Sequence, residues 1–187
     1  DASPEKSYAF QQLMSMVGKG SGYTKLVSEY EKKVERQPRN VNLRMVLGHI
    51  YAHGGRTQEA IASYKKALEL KASALAWVSI AAAESENKNF DEAVAAYDAA
   101  LKLGPSKEQK QEIWRAQAEI ALYRRDLERA RACFAELIRL EPNSLFVRRE
   151  LAQLYTQNRL YDEARRVLEE ASSLGSSADK EQIALDI

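Results

Sequence analysis

The sequence predicts an all-α protein built from a tandem array of helical hairpins. Glycine and proline, which disfavour helix interiors, number only 8 and 4 among 187 residues. An alanine followed four residues later by a large side chain recurs at intervals of 33, 37 and 34 residues, and periods of this length are typical of stacked helical units. Hydrophobic residues make up 45% and charged residues 29% of the chain, a balance typical of a folded protein.

The recurring alanines mark the second helix of each predicted hairpin. A large residue follows four positions later and an alanine or leucine seven positions later, and this spacing places all three on one helix face. The sets are Ala60, Tyr64 and Ala67; Ala93, Tyr97 and Ala100; Ala130, Phe134 and Leu137; and Ala164, Leu168 and Ala171. Cys133 precedes Phe134 on the same predicted helix, so we expect its side chain to take part in packing between repeats.

The first helix of each hairpin carries a small residue twelve positions before the alanine. These residues are Gly48, Ala81, Ala118 and Ala152. A small side chain at a fixed place lets two helices approach closely. Trp77 and Trp114 lie sixteen positions before their alanines, at equivalent places, and are therefore predicted to be core residues.

Polar breaks and prolines set the ends of the hairpins. The breaks separate the two helices of each hairpin, and Pro105 and Pro142 follow the second helix, where a helix is expected to end. Leu26, Tyr30 and Pro38 extend the pattern more loosely to the N-terminus. The predicted hairpins cover residues 7–40, 41–73, 74–110, 111–144 and 145–177, in a single array. Residues 106–110 extend a loop or start the next helix, and residues 178–187 form a capping helix or the start of a further repeat.

This pattern resembles the tetratricopeptide repeat family, whose units of about 34 residues carry W-x2-L-G-x2-Y, A-x3-F and a closing proline. The segment Leu47-Gly48-His49-Ile50-Tyr51, followed by Ala60 and Tyr64, is the strongest match. Gln117 and Glu84 depart from the family pattern, since an apolar and an aromatic residue are usual at their places. The resemblance covers nearly the whole chain and implies a right-handed α-solenoid of about five hairpins plus a C-terminal helix.

The resemblance also implies where a partner would bind, because the first helix of each unit lines the inside of the curve in this family. The implied groove residues are Asn42, Met45, His49, His53, Leu75, Val78, Glu86, Arg115, Glu119, Tyr123, Arg149 and Gln153. The same stripe includes Tyr8, Gln11, Ser15, Lys19, Ala82, Glu112, Phe146 and Gln157. Arg115, Arg149 and Tyr123 are expected to contribute most, since binding hot spots favour arginine and aromatic residues. The lysine, asparagine and arginine residues with which some members hold a chaperone's C-terminal carboxylate are missing from the matching places.

The histidines and the cysteine are candidates for a metal site and a nucleophile, but the sequence favours a structural or binding role for both. His49 and His53 lie four apart on one predicted helix, but two ligands are fewer than a zinc site needs. We expect the two histidines to form a polar pair that faces the groove. We add the hypothesis that protonation of their imidazole rings tunes partner binding. Cys133 has no histidine nearby in sequence to act as its base, so no nucleophilic site is predicted.

Net charge and hydropathy argue against a nucleic-acid partner and against a membrane-spanning helix. The net charge of +1 does not suggest a nucleic-acid partner, and no apolar run is long enough to span a bilayer. We therefore expect a scaffold, without enzyme activity or cofactor, that binds a protein or peptide. The alternative is a structural module that self-associates or belongs to a larger chain or complex. One cysteine leaves the compartment open, and the start at Asp1 suggests a removed leader or a piece of a longer protein.

Overall fold

The structure, a computed structural model, describes residues 8–17 and 20–174, except for the side chains of residues 8, 9 and 16. These residues form ten α-helices and no strand, which confirms the predicted all-α fold. The helices are α1 (Tyr8–Val17), α2 (Ser21–Arg36), α3 (Val41–His53), α4 (Thr57–Leu70), α5 (Ala74–Glu86), α6 (Phe90–Lys102), α7 (Lys107–Tyr123), α8 (Leu127–Leu140), α9 (Leu145–Gln157) and α10 (Tyr161–Leu174). The predicted groove residue Lys19 and the predicted helix over 178–187 lie outside the described residues.

Consecutive helices pair as hairpins, with α3 against α4, α5 against α6, α7 against α8 and α9 against α10. The faces predicted from the repeat period are the buried ones. Ala60, Ala93 and Ala130 have no exposed surface, and Tyr64, Tyr97, Phe134 and Leu168 are all buried. The periodic alanines therefore lie where a second helix leaves no room for a larger residue.

The chain divides into two compact units, Asp1–Ser106 and Lys107–Ile187, called unit 1 and unit 2 below. Unit 2 begins with α7, whose first residue is Lys107. Residues 107–110 therefore start the next helix and do not extend a loop. They belong to the fourth hairpin and not to the third. The prediction of a single array remains a prediction, and each unit is described by itself.

Side chains cap four of the described helices, α8 at a predicted polar break and α3, α5 and α9 at the starts of hairpins. Asn40 accepts a hydrogen bond from the backbone N–H of Leu43 at 3.1 Å, and Asp126 accepts one from Arg129 at 3.0 Å. Ser73 and Ser144 cap α5 and α9 in the same way. Each cap satisfies a backbone donor at a helix start that has no partner within the helix.

The turn inside each of the last four hairpins places one residue in the left-handed region. These residues are Gly55 (φ 73°), Lys88 (φ 62°), Arg125 (φ 60°) and Arg159 (φ 60°). In each turn, the N–H of the following residue bonds to a carbonyl five positions back, as from Asp126 to Ala121 at 2.8 Å. This is the helix-ending arrangement in which glycine is preferred, since a side chain is disfavoured at positive φ.

Replacing Arg125 with glycine should therefore stabilise unit 2. The left-handed conformation costs a residue with a Cβ about 1–2 kcal/mol, and part of this gain is offset by the greater freedom of glycine in the unfolded chain. We expect a net gain of about 0.5–1 kcal/mol, measured as a higher urea midpoint. Arg124→Gly is the matched control: its position lacks a positive φ, so the same substitution should destabilise. Equal shifts for both variants would contradict this account.

The sequence predicted that three further side chains, those of Cys133, Trp114 and Trp77, are buried in the packing between helices. Cys133 is buried in the hydrophobic core of unit 2, as predicted, beside Phe134 and Leu137. Trp114 packs against this core but is only half-buried, and Trp77 in unit 1 is also half-buried. The expectation that both tryptophans are core residues is thus corrected, because each is only partly buried.

Candidate functional site

Unit 2 exposes one face along its odd-numbered helices, and this face coincides with part of the predicted groove. The exposed residues are Glu119 and Tyr123 on α7, and Phe146, Arg149, Gln153 and Gln157 on α9. We call them the α7–α9 face. Steps of three or four residues bring them to one side of each helix. Tyr123 and Phe146 are each 64% exposed, which is unusual for side chains of this size.

A cleft of about 240 Å³ runs beside this face, between α7 and α9. Its lining includes Ala118, Glu119 and Leu122 from α7, Gln153 and Leu154 from α9, and Phe134 from α8. We call it the α7–α9 cleft. Its floor is apolar, while carboxylate and amide groups stand at its rim. Apolar contact area with a few hydrogen-bonding groups around it is typical of protein interaction sites.

Arg115 connects the two helices that border this cleft. Its guanidinium forms an ion pair with Glu150 of α9 and lies 5.2 Å from the centroid of the Phe146 ring. About one third of each charged side chain is exposed. The expectation that Arg115 is a main contributor to partner binding remains a prediction. In the structure its guanidinium contacts both Glu150 and the Phe146 ring of α9.

In unit 1, the predicted groove residues divide into exposed and buried ones. Asn42, His53 and Glu86 are exposed, and Leu75 is half-buried. His53 and Glu86 border a cleft of about 410 Å³ that α1, α3 and α5 line together. Gln11 and Ser15 of α1, which belonged to the predicted stripe, lie at the same cleft.

Three residues predicted to face a partner are buried instead. Met45 and Val78 lie in the core of unit 1, and His49 is 2% exposed. The Nδ1 atom of His49 lies 2.8 Å from the hydroxyl oxygen of Tyr64 on α4, and the Phe10 ring packs edge-on at 6.2 Å. His49 lines the same cleft as His53, but the two do not form an exposed polar pair, because α1 and α4 cover the side of α3 that carries His49.

Sequence reasoning missed the residues that complete the cleft of unit 2. Glu150 was assigned no role, although it lies 35 positions after Arg115, close to one repeat. A charge pair at that interval was the available signal.

Gln117, which departs from the family pattern, is buried, and its amide oxygen accepts a hydrogen bond of 3.5 Å from Arg129 on α8. This partner explains how a polar group is accommodated at a core position.

Within residues 8–17 and 20–174, no group of three or more histidine, cysteine, aspartate or glutamate side chains is arranged to hold a metal ion. None of the helices described there combines the length and apolarity needed to cross a membrane.

Among the solved structures of similar fold, three are matched over about three quarters or more of their own length. MamA is 19% identical, with a TM-score of 0.66 over 95% of this chain and 97% of its own. PilF of Pseudomonas aeruginosa is 20% identical, with a TM-score of 0.61 over 83% and 76%. YrrB, described as a TPR protein with an unusual peptide-binding site, is 16% identical, with a TM-score of 0.59 over 78% and 74%. Among curated proteins, no sequence matches this chain significantly.

Sequence models of the tetratricopeptide repeat match most of the chain. One model matches residues 41–73, and a second matches residues 69–108 and 115–179. The matched segments coincide with the hairpins from α3 to α10. The chain belongs to the tetratricopeptide repeat family.

Proposed function

We propose that this protein is an interaction scaffold that binds a segment of a partner protein, and that the α7–α9 face of unit 2 is its main binding surface. The observation that carries the proposal is the exposure of Tyr123 and Phe146 on that face. Large apolar side chains that remain exposed beside polar groups are typical of interaction sites.

The polar members of the face suit an extended polypeptide. The amides of Gln153 and Gln157 can both donate and accept hydrogen bonds, which matches the alternating donors and acceptors of a peptide backbone. They lie one helical turn apart on α9 and border the α7–α9 cleft. A partner side chain can then enter the cleft while its backbone contacts the amides. The peptide-binding site described for YrrB, a protein of similar fold, supports this type of partner.

Unit 1 offers a second surface for the same purpose. Asn42, His53, Leu75 and Glu86 retain exposed or partly exposed side chains, and His53 and Glu86 border the cleft of about 410 Å³. We propose that they contact the partner as well. Met45 and Val78 are buried in the core, and His49 lines the same cleft as His53.

Removal of the two exposed rings of the α7–α9 face tests the proposal. A peptide ligand is first selected from a random displayed library, and its Kd is measured by fluorescence anisotropy. Truncation of a hot-spot residue costs about 2 kcal/mol or more, so Tyr123→Ala with Phe146→Ala should weaken binding by at least about 30-fold. The circular dichroism spectrum should not change, since both rings are largely exposed.

Tyr161→Ala provides the matched control. Tyr161 is 60% exposed but lies at the start of α10, on an even-numbered helix. We expect this variant to keep the wild-type Kd within about two-fold, since residues outside the contact surface contribute little. Wild-type affinity in the double variant, or a loss as large in the Tyr161 variant, would place the binding surface elsewhere.

The alternative is self-association through the same face, since exposed aromatic rings serve a second copy as well as a different partner. Light scattering over a concentration series separates the two functions. A mass that rises with concentration in the wild type, and stays monomeric in the Tyr123→Ala and Phe146→Ala double variant, would assign the face to a second copy.

A further inference from the structure

The α7–α9 cleft has the size of a single side chain. Its volume of about 240 Å³ lies below the range of about 300–1,000 Å³ that is usual for small-molecule sites. A partner segment that lies across the α7–α9 face therefore fills this cleft with one residue. The charge and polarity of the lining indicate which kind of residue fits.

The charges at the rim of the cleft do not cancel. Arg115, Glu119 and Glu150 all line it, which gives one cation and two carboxylates among the described lining residues. Arg115 pairs with Glu150, whereas the carboxylate of Glu119 has no hydrogen-bond or ion-pair partner in the described part of the chain. Arg149, the arginine of the α7–α9 face, borders a separate cleft. One negative charge, that of Glu119, is therefore left for a ligand.

Below these charges, the floor of the cleft is apolar. Ala118, Phe134 and Leu154 are buried, and Leu122 is half-buried. A carboxylate or an amide placed on this floor would lose its water without gaining a hydrogen-bond partner. The side chain that fits both the floor and the rim has an apolar stem and a cationic head, a combination that lysine and arginine provide.

Two features of the rim favour lysine over arginine. Glu119 lies on α7 and Glu150 on α9, so the two carboxylates approach the cleft from different helices. A guanidinium pairs best with one carboxylate in a planar, two-point arrangement, whereas an ammonium directs three donors to separate acceptors. Oε2 of Glu150 already accepts a hydrogen bond from Arg115, so this carboxylate cannot offer both oxygens to a second guanidinium.

We propose that the α7–α9 cleft binds a lysine side chain of the partner segment. The four-carbon stem lies on Leu122, Phe134 and Leu154, and the ammonium donates hydrogen bonds to Glu119 and to Oε1 of Glu150. This inference rests on the proposed function, since it names the residue that a partner places in the cleft. The ligand charge is opposite to that of the chaperone carboxylate that some members of the family hold.

Peptides selected from a random displayed library test the proposal. Only peptides whose binding is lost in the Tyr123→Ala and Phe146→Ala double variant are kept, because they occupy the α7–α9 face. We expect a lysine in nearly all of them. The peptides are then synthesised with an acetylated N-terminus, so that the lysine is the source of the amine. Norleucine in place of that lysine should raise the Kd by about 10-fold, the effect of losing one charge-assisted hydrogen bond.

Glu119→Gln should raise the Kd of the lysine peptide by a similar factor. It should leave the Kd of the norleucine peptide within about two-fold, because the interaction is already absent. The fold should not change, since Glu119 is exposed. Glu169→Gln is the matched control: it removes an exposed carboxylate on α10 that is not among the described residues of the cleft lining. We expect it to keep the Kd of the lysine peptide within about two-fold.

The outcomes separate this inference from the proposed function. Kept peptides without lysine, or peptides that bind more tightly with arginine at its place, would overturn the lysine site and leave the proposed function intact. The lysine site is also overturned by equal losses for Glu119→Gln and Glu169→Gln, or by equal effects of Glu119→Gln on the lysine and norleucine peptides. If no selected peptide requires Tyr123 and Phe146, the proposed function and the lysine site are both wrong.

Discussion

Replacing Ala93 with aspartate should lower the free energy of unfolding by about 2–4 kcal/mol, because the change buries a carboxylate without a partner. Ala93 has no exposed surface and lies on the face of α6 that packs within unit 1, together with Tyr97 and Ala100. The larger side chain also has no space, since the site accommodates only a methyl group. The effect is measured by urea unfolding monitored by circular dichroism.

Ala95→Asp provides the control within the same helix. Ala95 is exposed, so this variant has the same new charge and a similar loss of helix propensity but no burial. We expect its free energy of unfolding to lie within about 1 kcal/mol of the wild type, since the loss of helix propensity costs about 0.7 kcal/mol and surface substitutions add little to it. A tolerated Ala93→Asp, or equal losses for the two variants, would mean that the buried face of α6 is misplaced.

Replacing Gly48 with valine should destabilise unit 1 by about 3 kcal/mol, at the upper end of the cost of overpacking a core. A Cβ atom at Gly48 would lie 2.3 Å from Cε1 of the Tyr64 ring. The ring cannot easily move aside, because Tyr64 is 1% exposed and its hydroxyl oxygen lies 2.8 Å from Nδ1 of His49. The small gain in helix propensity over glycine is a few tenths of a kcal/mol and does not compensate.

A double-mutant cycle with Tyr64→Leu tests the cause of this loss. If the clash with the ring is responsible, Gly48→Val should cost less than half as much in the Tyr64→Leu background, with a coupling of about 1–2 kcal/mol. Additive losses would show that valine is disfavoured at this position for a reason other than Tyr64.

The repeat period was enough to predict the helices and their inner faces. The alanines Ala60, Ala93 and Ala130 were identified by spacing alone, and each has no exposed surface. Gly48 was identified as a place of close helix approach, and the Tyr64 ring does lie against it. These small residues recur at a fixed interval, so each repeat of the chain gives independent support for the same helix faces.

The prediction of the exposed face succeeded less well. Helical spacing placed Asn42, Met45, His49 and His53 on one stripe of α3, but only the first and last are exposed. A stripe defines an angle around a helix, whereas exposure depends on which neighbours cover that angle. Phe10 of α1 and Tyr64 of α4 both contact His49, and neither contact has a signature in the spacing of α3.

Taken alone, the sequence determined the fold class, the hairpin register and the small residues between helices, because these depend on periodic burial along the chain. Only the tertiary structure decided the chemistry of the surface. It directs Arg115 to Glu150, places His49 in the core and leaves Tyr123 and Phe146 exposed on the α7–α9 face. The physical reason is that burial and charge pairing are set by contacts between helices. The partner helix belongs to the same repeat for His49 and Tyr64 and to the next repeat for Arg115 and Glu150.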